Sequence, residues 1–174
     1  MSLFKFYYLI IVAFCTLFIS ACGFQPLYVD QSDTGTGATV PFHSVSVSNI
    51  PNQDGQYLRN KLIDTIYING IPQNPRYRLS MTGLNESITP LGIRKDETAT
   101  RAQMRISVKL NLIDVKTGET VLNRGLIATN SFNQLSSQYT TNVSNQYARE
   151  RALDELSRQT VKELALFFQR DGGR

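Results

Sequence analysis

Histidine and cysteine are almost missing from this chain, which has one His, His43, and two cysteines, Cys15 and Cys22. A lone imidazole without thiols beside it cannot assemble the ligand set of a zinc or copper site, so no metal cofactor is expected. His43 reads instead as a surface or edge-strand residue. No Ser sits in a nucleophile elbow, and no nucleophile has a visible His base. The acidic pairs Asp96/Glu97 and Asp154/Glu155 are adjacent residues on a polar stretch and on the wet side of a helix. They are not two carboxyls in contrasting environments, so acid–base catalysis is not expected either. Gly35 and Gly37 lack the GK[ST] that would make a phosphate loop. Basic residues interleaved with aromatics are also absent, which argues against nucleic acid. The sequence therefore points away from an enzyme and from any cofactor.

Long apolar runs are scarce too. The longest, Phe6 to Ile19, is broken only by Thr16 and preceded by Lys5. Its ~14 residues suit the core of a secretory signal and fall short of the ~20 that span a bilayer. Ile19-Ser20-Ala21-Cys22 follows. An aliphatic residue, two small residues and a Cys form the pattern of a bacterial lipobox: small side chains fit beside a scissile bond, and the thiol takes a diacylglyceryl group. Residues 1–21 are expected to be a lipoprotein signal peptide, with lipid on Cys22 and the mature chain on the periplasmic side of the outer membrane. Gly23, where an Asp would retain the protein at the inner membrane, agrees with that destination. Cleavage would leave 153 of the 174 residues, with 17 basic and 14 acidic side chains once Lys5 is lost. No free thiol would remain, hence no disulfide framework. A chain of that length makes one domain that buries ~68–70% of its unfolded surface.

Residues 22–39 read as a flexible tether, because Asp30 to Gly37 has no apolar periodicity. A single domain is expected over residues 40–170. Val45 and Val47 alternate with serines as a short strand ending before Pro51. Asn52 or Asp54 can cap a helix to Asn69 with a Leu58, Leu62, Ile66 stripe and Gly70 at its C′ position. Tyr77, Leu79 and Met81 alternate as a second strand whose phase slips at Gly83, predicting a bulge. Asn85 to Arg101 reads as a polar loop or extended hairpin arm. Ala102, Met104, Ile106, Val108, Leu110 and Leu112 then alternate with polar and basic residues, one face core and one face wet. Asp114 to Glu119 closes a hairpin, and Thr120 to about Gln134 returns. Ser144 to Gln169 is a long helix with a stripe through Ala148, Ala152, Leu156, Thr160, Leu164 and Phe167/Phe168, and an Asp154–Arg158 pair on its wet side. The order β-α-β-β-β-α predicts an α+β fold: a two-layer sandwich of a four-stranded mixed sheet with two helices on one face.

Three stretches together resemble a known family. Cys22-Gly23-Phe24-Gln25-Pro26-Leu27-Tyr28 is similar to the mature start of the lipopolysaccharide-assembly lipoproteins, the LptE family, in its alphaproteobacterial form. Ala99-Thr100-Arg101 with Leu112-Ile113-Asp114 and Thr117-Gly118 resembles the family's central hairpin, and Ser144 to Ala152 its closing helix. The resemblance implies a non-enzymatic partner of the outer-membrane β-barrel LptD, seated in the barrel as a plug and assisting insertion of lipopolysaccharide. Contact residues of the more distant enterobacterial members do not carry over position by position. The polar run Thr129 to Gln146 and the odd-numbered face from Gln103 to Asn111 fit a polar lumen. The basic set Arg94, Lys95, Arg101, Arg105 and Lys109 is the candidate lipopolysaccharide site, since phosphates favour Arg and Lys donors. Asp96 and Glu97 in the same stretch oppose its field. The rival reading is an adaptor or solute-binding lipoprotein of another envelope transport system.

Overall fold

The computed structural model describes residues 42–171 apart from residues 69, 92–98 and 136. After a 3-10 turn at Phe42–Ser44 come β1 (Val45–Val47), α1 (Asn52–Ile66), β2 (Tyr77–Pro90), β3 (Ala99–Asp114), β4 (Thr120–Leu135) and α2 (Gln138–Asp171). The strands form one sheet in the order β1-β2-β3-β4. β1 runs parallel to β2, through the α1 crossover, and the other neighbours are antiparallel. Two helices cover one face, as the alternation and element order predict.

The core lies between the sheet and the helices. The even-numbered residues of β3 from Ala102 to Leu112 are all buried, with Leu79 and Met81 of β2 and Leu126, Ala128 and Phe132 of β4. Opposite them, α2 buries Ala148, Ala152, Leu156, Thr160 and Leu164, widened by Leu153, Val161 and Ala165. The hydroxyl of Thr160 donates to the carbonyl of Leu156 at 2.7 Å, which satisfies the polar group on an otherwise apolar stripe. α1 buries Gly55, Leu58, Leu62 and Ile66. Gly55 is required there, because a Cβ would lie 2.7 Å from Cγ2 of Ile50 and 2.9 Å from its carbonyl group. At one end of the core the rings of Tyr77, Phe167 and Phe168 meet edge to face, with centroids 5.3–6.0 Å apart.

The predicted bulge is present: the β2–β3 register shifts between Thr82 and Asn85, and Gly83 has φ +67°, where a side chain would be strained. Some boundaries and pairs differ from the sequence expectations. The first helix stops at Ile66. The Tyr67 hydroxyl instead accepts the Val47 N–H at 2.8 Å, and Gly70, at φ +100°, lies in the turn beyond. Pro51 occupies the cap position, with no side-chain cap from Asn52 or Asp54. Of the two readings of Asn85 to Arg101, the extended hairpin arm is the one found where the stretch is described, since β2 continues to Pro90 and β3 begins at Ala99. The closing helix starts at Gln138, six residues before Ser144. Finally, Asp154 does not pair with Arg158. It is drawn to α1, 3.6 Å from Lys61 and 3.3 Å from the Tyr57 hydroxyl, while Arg158 takes Glu155 at 2.7 Å.

Candidate functional site on the open face of the sheet

No helix covers the second face of the sheet among the described residues, and its composition is unlike the first. Side chains opposite one another in a ladder share a face. Arg101 lies opposite Asn133, Arg105 between Ser87 and Thr129, and Lys109 between Thr82 and Gly125. Arg78 of β2, opposite Ile113, joins the same face. The remaining positions there are hydroxyls and amides with a few aliphatics. Asn123 and Asn111 are linked by a 2.7 Å hydrogen bond, and Ile127 is half-exposed.

Arg101, Arg105 and Lys109 stand four residues apart on a continuous strand, which spaces them at ~13 Å. All three and Arg78 are exposed. None of the four forms an ion pair among the described residues. The carboxylates have gone to the other side. Glu86 lies opposite Ile106, which turns it toward the helices, where it receives two hydrogen bonds from Arg149 at 2.7 and 2.9 Å. Arg149 also lies 3.6 Å from Asp54 of α1, so one guanidinium ties β2, α1 and α2 together. Its pKa is raised, first by the hydrogen bonds to Glu86. Arg124, opposite Leu110 on the helix side, pairs with Glu163 at 3.5 Å.

Asp114, at the end of β3, is buried and occupied in its own turn. Its carboxylate accepts the Lys116 N–H at 2.8 Å and lies 3.4 Å from both the Thr117 N–H and the Arg76 guanidinium. These contacts, the Lys116 amide foremost, hold its pKa below the ordinary carboxylate range.

Of the predicted cationic set, the structure brings Arg101, Arg105 and Lys109 onto one face. Arg94, Lys95 and the proposed lipidation site Cys22 lie outside the described residues. Arg78 was missed: its alternation with Tyr77 and Leu79 marked it as exposed, but only the β2–β3 register brings it beside the other cations. The pairing of Glu86 with Arg149 was missed for the same reason. Two depressions, of about 430 and 570 Å³, lie along α2. They are walled largely by amide and charged groups such as Asn142, Asn145, Asp154 and Arg158, and resemble grooves more than the apolar pockets that enclose small molecules.

A mixed four-stranded sheet with two helices on one side and a bare polar face on the other defines a small two-layer α+β fold. A lipoprotein of Caulobacter crescentus CB15 has it at a TM-score of 0.58 and 20% identity, covering 74% of this chain and 92% of that one. A minor lipoprotein of Acinetobacter baumannii aligns at 0.58 and 19%, over 71% and 92%. The rare lipoprotein B of Shewanella oneidensis aligns at 0.50 and 8%, over 70% and 92%. A search among curated proteins finds no match by sequence. The family model for LptE, lipopolysaccharide-assembly, matches residues 42–166, and the chain belongs to that family. It is a lipopolysaccharide-assembly lipoprotein.

Proposed function

We propose that the protein is the lipid-anchored assembly partner of an LptD-like outer-membrane β-barrel, with the open sheet face as the surface that works within it. It acts without catalysis. The lipid on Cys22 holds it on the periplasmic side of the outer membrane, and the domain enters the barrel as a plug that assists lipopolysaccharide insertion. The observation that carries this reading is the sorting of charge across the sheet. Among the described residues Arg78, Arg101, Arg105 and Lys109 share a face with hydroxyls, amides and a few aliphatics and no carboxylate, while Glu86 and Asp114 lie toward the helices or in the turn. Such a face suits a polar lumen and a phosphorylated ligand. It lacks the broad apolar patch expected of a lipid-facing wall.

The test is purification of the tagged protein from detergent-solubilised outer membrane. One large β-barrel should accompany it in equal amount and stay bound at moderate salt. Recovery with an inner-membrane or periplasmic transport component instead would favour the adaptor reading and overturn this one.

A further inference from the structure

Among the described residues the two isoleucines most exposed to solvent sit at one end of the domain, in the connection from α1 to β2: Ile68 at 72% and Ile71 at 73%. The topology fixes what else is at that end. β1 pairs with β2 from its first residue, Val45 opposite Tyr77, so the chain arriving from residue 22 enters the fold there. The β3–β4 turn, with Val115 43% exposed, lies there as well, joined to the connection by the Val115 N–H donating to the Arg76 carbonyl at 2.8 Å.

The isoleucines are held out by contacts on either side of them. The Tyr67 hydroxyl is fixed on β1 by the Val47 N–H, and the Gly70 N–H donates to the Tyr67 carbonyl at 2.9 Å. Pro72 follows Ile71 directly and restricts its backbone to extended conformations. The charges at this end are mixed: Arg76 lies over the Tyr77 ring and is paired with Asp114, and Lys116 stands in the β3–β4 turn. Asp64 and Glu119 oppose them in charge. Neither depression along α2 is lined by Ile68, Ile71 or Val115.

Protruding aliphatic side chains beside the chain's entry point match a lipid interface, where apolar tips reach the acyl boundary. We infer that the tether end of the domain rests on the phospholipid leaflet holding its anchor, with Ile68 and Ile71 inserted, before the protein joins a barrel. The inference depends on the lipid-anchored reading of residue 22. Anchored and loop contacts reinforce each other, because the anchor raises the local concentration of the loop at the surface.

The chain has no tryptophan, so one introduced residue is an unambiguous reporter. Lipoprotein purified from membranes, with its modification checked by mass, is placed in phosphatidylethanolamine–phosphatidylglycerol vesicles as Ile71→Trp or, on the open sheet face, Ile127→Trp. The Ile71→Trp form should shift to the blue and be quenched several-fold more by brominated lipid than the Ile127→Trp form. Equal quenching at both positions, or none at Ile71→Trp in a lipidated protein, overturns the inference. So does a blue shift of Ile71→Trp that needs added barrel and not lipid, which would make the tip a protein contact. If the mass shows residue 22 unmodified, the anchor reading fails instead. The same quenching ratio at saturating vesicle concentration then decides the loop on its own. The double variant Ile68→Ser/Ile71→Ser should lower vesicle retention of the Cys22→Ser chain by at least about threefold, with unchanged thermal unfolding.

Discussion

Both faces of the sheet are written on a single strand, and they differ in every physical respect. On β3, the residues from Ala102 to Leu112 with even numbers are buried hydrocarbon, and those with odd numbers are exposed or half-exposed polar groups. The difference extends to charge. Toward the helices, cations and carboxylates meet in pairs, Arg149 with Glu86 and Arg124 with Glu163. On the open face the cations form no ion pair among the described residues. Ionic groups near a core must be matched to offset their desolvation. Groups on an open surface have no such constraint, and an unmatched set of one sign is left for a partner to neutralise. The first face is thus shaped by folding, and the second is free to be shaped by binding.

The largest test of this contrast compares neighbours on β3. Ile106 is fully buried between β2 and β4, while Ser107 is on the other side. Ile106→Ala should destabilise the protein by ~2–5 kcal/mol in urea or thermal unfolding, through lost burial and the cavity left behind. Ser107→Ala should change it by less than ~0.5 kcal/mol. Similar losses at both sites would mean that the open face is packed in solution.

A smaller effect is expected where charge is matched. Glu86→Gln removes the charge opposite Arg149, whose remaining carboxylate among the described residues is Asp54 at 3.6 Å. Both partners of the pair are partly exposed, so the cost should be ~1 kcal/mol, toward the upper end for surface pairs, and should shrink in high salt. A loss independent of salt would show that Glu86 serves packing and not charge.

How much of this was legible in the sequence varied with the length of uninterrupted pattern. β3 was plain because six apolar residues alternate without a break, and its cationic triad followed from the same spacing. The outer half of β2 was legible only as one of two alternatives, loop or extended arm, because past the bulge at Gly83 its residues are almost all exposed. Its pairing with β3 makes it a strand, and pairing is not local information. The first turns of α2 were hidden: Thr140, Thr141 and Asn142 are poor helix formers with no stripe. α1 was read too long because the hydroxyl that pulls Tyr67 out of the helix finds its donor twenty residues away on β1. Arg78 belonged to the cationic face only once a register was known.

The smallest effect on stability should accompany the largest effect on binding. Replacing Arg101, Arg105 and Lys109 together by Ser removes three exposed charges that have no carboxylate partner among the described residues. Thermal unfolding should barely move, because surface substitutions of this kind cost under ~0.5 kcal/mol each and the loss of like charges offsets part of that. Lipid A and the inner core carry phosphates, and each phosphate met by a guanidinium or ammonium is a charge-assisted contact. The cations are ~13 Å apart, so the face would engage separate phosphates and not one chelated group. The purified lipoprotein should therefore lose roughly tenfold or more in affinity for lipopolysaccharide at low salt, since one such hydrogen bond contributes ~1.5–3 kcal/mol. The gap between parent and variant should narrow at moderate salt as screening weakens what the parent gains. Adding Arg78→Ser should deepen the loss if the face works as a unit, and leave it unchanged if only β3 makes contact. A variant that unfolds normally and binds lipopolysaccharide like the parent would remove this face from recognition of the lipid, leaving its cations to meet the barrel wall.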